Sequence, residues 1–219
     1  MTSSIVGAYV RIAEPHEYSE AAWIFTRGFA RDPCMNWFGG VKEMVPAYKD
    51  EPDYEAHPAA AAANRTLKNL HAFQCATIKI TIRCGGYMTV AVIPKEERTG
   101  LETGKESSGE LIVGATLWLK PGQTLDLPLS AVIRSGLWKV LRGWGLGGVK
   151  VPAFFFLGFP PPFPGNFSQH LDQRVLVDFS LAVEKILEKA FTTRNLDRLD
   201  SWHLLEMVVD PLYQGKGES

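Results

Sequence analysis

Two apolar runs rich in β-branched residues, Tyr87–Ile93 (YMTVAVI) and Leu111–Leu119 (LIVGATLWL), enclose the polar stretch Pro94–Glu110. Two such strands around one charged loop read as a long-looped hairpin, which commits the fold to an antiparallel strand pair. The loop holds five Glu and three basic residues, so it is expected to be solvated and mobile. Upstream, Thr77–Cys84 (TIKITIRC) carries the same β-branched signature, and Gly85-Gly86 marks a bend, predicting a further strand or strand half there. Ile5–Ala13 and Ser201–Val209 read as the first and last strands.

Helical periodicity fills the gaps between strands. Ala21, Ala22, Phe25 and Phe29 recur at helical spacing after Tyr18, with Pro33 as the stop. Ala59–Ala76 combines high helix propensity with a stripe of Leu67, Leu70 and Phe73. Leu129–Gly143 reads as an amphipathic helix, and Arg174–Phe191 as a second, with Leu176, Phe179, Val183, Ile186 and Leu187 in steps of three and four. Gly39–Pro58 and the Phe- and Pro-dense Val151–Phe167 read as loops. The predicted class is α+β with a mixed sheet, in a single domain over 1–219 with insertions at about 39–58, 94–110 and 120–170.

Composition excludes several functions. Lys plus Arg is 23 against 24 for Asp plus Glu, a net charge of −1, which argues against nucleic acid held by phosphate neutralisation. No apolar run reaches the length of about 20 residues that a membrane span needs. The N-terminus has no signal-peptide pattern, so a cytoplasmic location is expected, with the nucleus open. Cys34, Cys75 and Cys84 form no CxxC pair and read as free buried thiols, with no metal site expected. Gly143, Gly145 and Gly148 formally match GxGxxG, but a helix precedes them and an aromatic loop follows, the wrong setting for a dinucleotide site.

The chemistry-bearing run is Val209-Asp210-Pro211-Leu212-Tyr213-Gln214-Gly215-Lys216-Gly217. A strand ended by a Pro turn leads into a glycine-containing loop whose free backbone N–H groups and Lys216 suit an anion. A plain strand–turn–helix junction with glycines for geometry is the other reading of the same residues. The run resembles motif A of the GNAT superfamily of N-acetyltransferases, whose loop pattern is Gln/Arg-x-x-Gly-x-Gly/Ala. Gln214 and Gly217 match its first two fixed positions, and Ser219 stands at the third. The order of predicted elements agrees with the family, and the aromatic insertion is like those of fungal members.

The resemblance implies an acetyl-CoA-dependent enzyme in which an amine attacks the thioester directly. A base takes the ammonium proton and a backbone amide stabilises the oxyanion. It implies that the strand end at Met207, Val208 and Val209 pairs with the pantetheine arm. Gly215, Lys216, Gly217, Glu218 and Ser219 would cradle the pyrophosphate, with Gln214 bracing the turn. His203 is the first candidate base, suited by its ordinary pKa of about 6.5; it also reads as a partly buried structural histidine. Glu206 is the second, and reads more readily as a solvated face residue. On a regular strand the two would have opposite side-chain parity.

The family normally continues beyond Ser219 with the helix that the loop caps, a parallel strand, a further helix and a hairpin. Set against it, the chain is expected to be truncated within motif A, leaving the general acid unassigned. The α-carboxylate of Ser219 and Glu218 would then put negative charge in the phosphate site. Two functions follow as expectations. One is an N-acetyltransferase acting on a small-molecule or peptide amine. The other is a catalytically inactive interaction module that self-associates through an open sheet edge.

Overall fold

The structure is a computed structural model that describes residues 7–38, 41, 58–94, 109–125, 127–148 and 173–215. Its strands are β1 (Tyr9–Ile12), β2 (Tyr87–Pro94), β3 (Glu110–Leu119) and β4 (His203–Val209). They form one antiparallel sheet in the order β1-β2-β3-β4. The helices are α1 (Tyr18–Phe29), α2 (Pro33–Phe38), α3 (Pro58–Arg83), α4 (Leu129–Val132), α5 (Trp138–Gly148) and α6 (Gln173–Thr192). The class is therefore α+β. All described strand pairs are antiparallel, where the sequence suggested a mixed sheet.

The hairpin is as expected, with β2 paired to β3 from Tyr87↔Trp118 to Pro94↔Glu110. The preceding segment is not. Residues 77–83 continue α3 instead of forming a strand, because the helix has apolar neighbours on two sides. Ile78 joins the core between α1 and the sheet, with Phe25, Val90 and Leu117. Leu70, Phe73, Ala76 and Ile80 meet Val132, Leu137 and Val140. Burial on both sides overrides the intrinsic strand preference of β-branched residues.

Gly85-Gly86 does mark the reversal. Gly85 takes φ +81°, its N–H bonds to the Ile82 carbonyl, and the Gly86 N–H reaches back to the Thr81 carbonyl at 2.9 Å. This is the paired closure of a Schellman C-cap. α1 stops at Phe29, ahead of Pro33 as expected, and Pro33 itself begins α2, where the Asp32 carboxylate accepts from the Met35 N–H at 2.8 Å.

Residues 133–137 join α4 to α5 across a kink, where Gly136 takes φ 109°. Gly143 and Gly148 lie inside α5, so the GxGxxG match falls in a helix and not in a strand-to-helix turn. The expected loops at 94–110 and 151–167 lie almost wholly outside the described residues, as does most of 39–58. The three cysteines are free, Cys34 exposed and the other two half-buried, where all three were expected to be buried. No helix among the described residues is long and apolar enough to cross a membrane.

The sheet has two unlike faces. Met88, Val90, Val92, Ile112, Ala115, Leu117 and Val208 turn toward α1 and α3 and are buried. The opposite face carries Val10, Ile12, Leu204, Met207 and Val209, all exposed.

Candidate functional site

β4 is an edge strand among the described residues, and it is not regular. Leu117 pairs with Glu206 but Trp118 pairs with Leu204, so Leu205 is an extra residue without a partner. This β-bulge changes the side-chain parity. Leu117 and Leu119 are two apart and both buried; their partners, Glu206 and His203, are three apart and stand on that same inner side. The expectation of opposite parity for His203 and Glu206 is therefore corrected, and the cause is one inserted residue. The bulged Leu205 packs against the core.

Glu206 is also not a solvated residue. As a whole it is half-buried, yet its Oε2 is enclosed with no hydrogen-bond partner among the described residues. Burial pushes its carboxyl pKa up to about 8, since the ionised form loses hydration and gains no described partner. His203 is half-buried, and its Nε2 lies 3.0 Å from the Arg198 carbonyl in the turn before the strand.

The end of β4 is held by contacts that the sequence did not announce. Arg27 on α1 directs Nε and an Nη onto Oδ2 of Asp210, which is buried. The other Asp210 oxygen accepts from the Leu212 N–H at 3.1 Å, and its own N–H bonds the Val113 carbonyl at 2.8 Å. Gly28, next to Arg27, lets α1 close on the strand: a Cβ there would lie 2.0 Å from Cγ2 of Val208.

Past Asp210 the chain turns, with the Tyr213 N–H on the Asp210 carbonyl at 2.8 Å. The Gln214 side chain donates to the Val209 carbonyl at 2.8 Å, tying the loop to the last residue of the strand. Gly215 takes φ +72°, and a Cβ there would meet no atom within 4 Å among the described residues. Met207 and Val209 point to the exposed face and Val208 inward under Gly28. Lys216, Gly217, Glu218 and Ser219 lie outside the described residues. No cluster of metal-ligating side chains occurs among the described residues.

Comparison with family models, curated proteins and solved structures gives no match. A buried carboxyl of near-neutral affinity stands on an edge strand, and the strand ends in a braced turn with a left-handed glycine.

Proposed function

We propose that the chain is an acetyl-CoA-dependent N-acetyltransferase of GNAT type, with β4 as the cosubstrate strand and Glu206 as the proton acceptor. The observation that carries this reading is the bulge at Leu205, which turns Glu206 into a water-poor setting and raises its proton affinity to a useful level. A general base works best with a pKa near the working pH. An ordinary surface Glu, at 4.5, is too weak to take a proton from an ammonium group.

The residues present fit the cosubstrate at two points. The outer edge of β4 has no strand beside it among the described residues, so the backbone at Met207–Val209 can receive an extended amide-bearing chain. The turn at Pro211–Gly215 is held by Gln214 and has open space at Gly215, which suits a close approach of backbone N–H groups to phosphate. Acetyl-CoA would supply the activated thioester there. Glu206, once ionised, takes the proton of the incoming amine on a carboxylate oxygen. His203, with Nε2 directed at the Arg198 carbonyl, is the weaker candidate for that role. The acceptor is an amine, of a small molecule or of a peptide.

Calorimetric titration with acetyl-CoA tests the reading. Saturable binding to the wild type and to Glu206→Gln, with transfer to amines lost only in the variant, supports it; a folded chain that binds no acetyl-CoA sinks it.

A second reading draws on the other face of the sheet. Val10 at 68% and Ile12 at 66% exposure on β1, and Met207 at 62% on β4, leave apolar side chains exposed at both edges of that face. On this reading the chain is a non-catalytic module that self-associates. Sedimentation that shifts with concentration, and is restored to monomer by Met207→Lys, supports it.

A further inference from the structure

The start of α1, the second half of α3 and the kink at 133–137 line a cleft of about 540 Å³. Among the described residues its walls carry Lys79, Arg134 and Lys139 and not one carboxylate, although the whole chain has a net charge of −1. None of these three cations forms an ion pair among the described residues. Charges of one sign gathered in a concave site focus the potential on it and raise the local concentration of anions.

The floor is built differently. His71 stacks on Trp23 with centroids 4.1 Å apart, and its Nε2 lies 3.3 Å from the Ser19 carbonyl and 3.6 Å from Sγ of Cys75. Burial, reinforced by Lys139, keeps the imidazole below its ordinary pKa, and burial pushes the Cys75 thiol up. Both groups are thus uncharged near neutrality and add no counter-ion to the cleft.

The kink between α4 and α5 completes the wall. Gly136, at φ 109° in that kink, lines the cleft together with Arg134 and Trp138. A Cβ at Gly136 would meet no atom within 4 Å among the described residues.

We propose that this cleft binds a phosphate-bearing small molecule, with Lys79, Arg134 and Lys139 as the phosphate ligands and Cys75 at its floor. An Arg fork with two Lys point charges suits the dense charge of phosphate better than a single carboxylate. The site is separate from β4, and its fate is independent of the transferase reading.

The test is alkylation of Cys75 by iodoacetamide, followed by peptide mass spectrometry, with inorganic pyrophosphate as the probe. Pyrophosphate bound at the Gly215 loop instead would leave Cys75 untouched, so the readout is local to the cleft. At about ten times its dissociation constant, pyrophosphate slows Cys75 alkylation by about tenfold and leaves Cys34 unchanged. Lys79→Gln with Lys139→Gln abolishes that protection; both side chains are exposed, and circular dichroism verifies that the variant folds. An unchanged Cys75 rate in the wild type, or equal protection in the variant, overturns the proposal.

Discussion

Glu206 and His203 stand on the same side of β4 although they are three positions apart, because Leu205 drops out of register with β3. A strand of strict alternation would have sent one of them to the exposed face, beside Met207. The bulge therefore decides that the Glu206 carboxyl faces the layer of α1 and α3, where its charge is costly and its proton is held more tightly.

Glu206 makes the fold pH-sensitive in a definite direction. Its folded pKa, about 8, lies above its ordinary 4.5, so the folded state keeps a proton that the unfolded chain releases. The protonated group's advantage is complete below about pH 4 and is lost as pH rises through about 8, at roughly 1 kcal/mol per pH unit between those limits. Glu206→Gln removes this slope. Urea midpoints of wild type and variant between these limits check it: the wild type falls relative to the variant as pH rises, and parallel curves would disprove the burial.

Gly28 is where α1 touches β4, and Ala there collides with Val208. Gly28→Ala alone is expected to destabilise by about 1–2 kcal/mol, the overpacking cost exceeding the gain of roughly 1 kcal/mol in helix propensity. Val208→Ala on its own also destabilises, by loss of packing. Together they cost less than their sum, and a double-mutant cycle from denaturant unfolding reads that coupling.

Arg27 and Asp210 fasten the same contact electrostatically. Arg27→Ala leaves a buried carboxylate whose fork is gone, and about 2 kcal/mol of stability goes with it, since Arg27 itself is about a third exposed. Asp210→Asn keeps an oxygen for the Leu212 N–H and costs less. The ranking of the two variants in thermal unfolding is the check.

The fold was largely legible wherever local pattern and tertiary setting agree. The hairpin of β2 and β3, the reversal at Gly85 and the amphipathic α6 follow from residue type and spacing. Ile78, Ile80 and Ile82 misled because strand propensity does not reveal that a helix will be buried on two sides. At the site, the turn after Val209 was readable from Pro211 and the glycines, and the brace from Gln214 followed only from the resemblance. The bulge was not: Leu204-Leu205 gives no local sign of which leucine leaves the ladder. Nor was Arg27–Asp210, a pair separated by 183 positions that only the packing of α1 on β4 brings together.

At the other edge of the sheet, Arg11 bridges Glu17 and Glu110, with bonds of 2.6 and 2.7 Å from one Nη. Arg11 holds the buried Glu17 carboxyl below its ordinary range. This stabilisation is present above the ordinary value of 4.5 and is lost as pH falls through the lower, folded value. Arg11→Met is accordingly expected to cost about 3 kcal/mol at neutral pH and progressively less in acid. Chemical denaturation at pH 7 and in strong acid compares the two.

Hydrogen exchange with and without acetyl-CoA, resolved to peptides across β4 and the following turn, bears most directly on the transferase reading. Acetyl-CoA is expected to slow exchange at Met207–Val209 and through Tyr213–Gly215, and to do so equally in Glu206→Gln, which loses the proton acceptor but not the strand edge. Protection confined to other elements, or none in a chain that remains folded, would contradict the assignment of β4 as the cosubstrate strand.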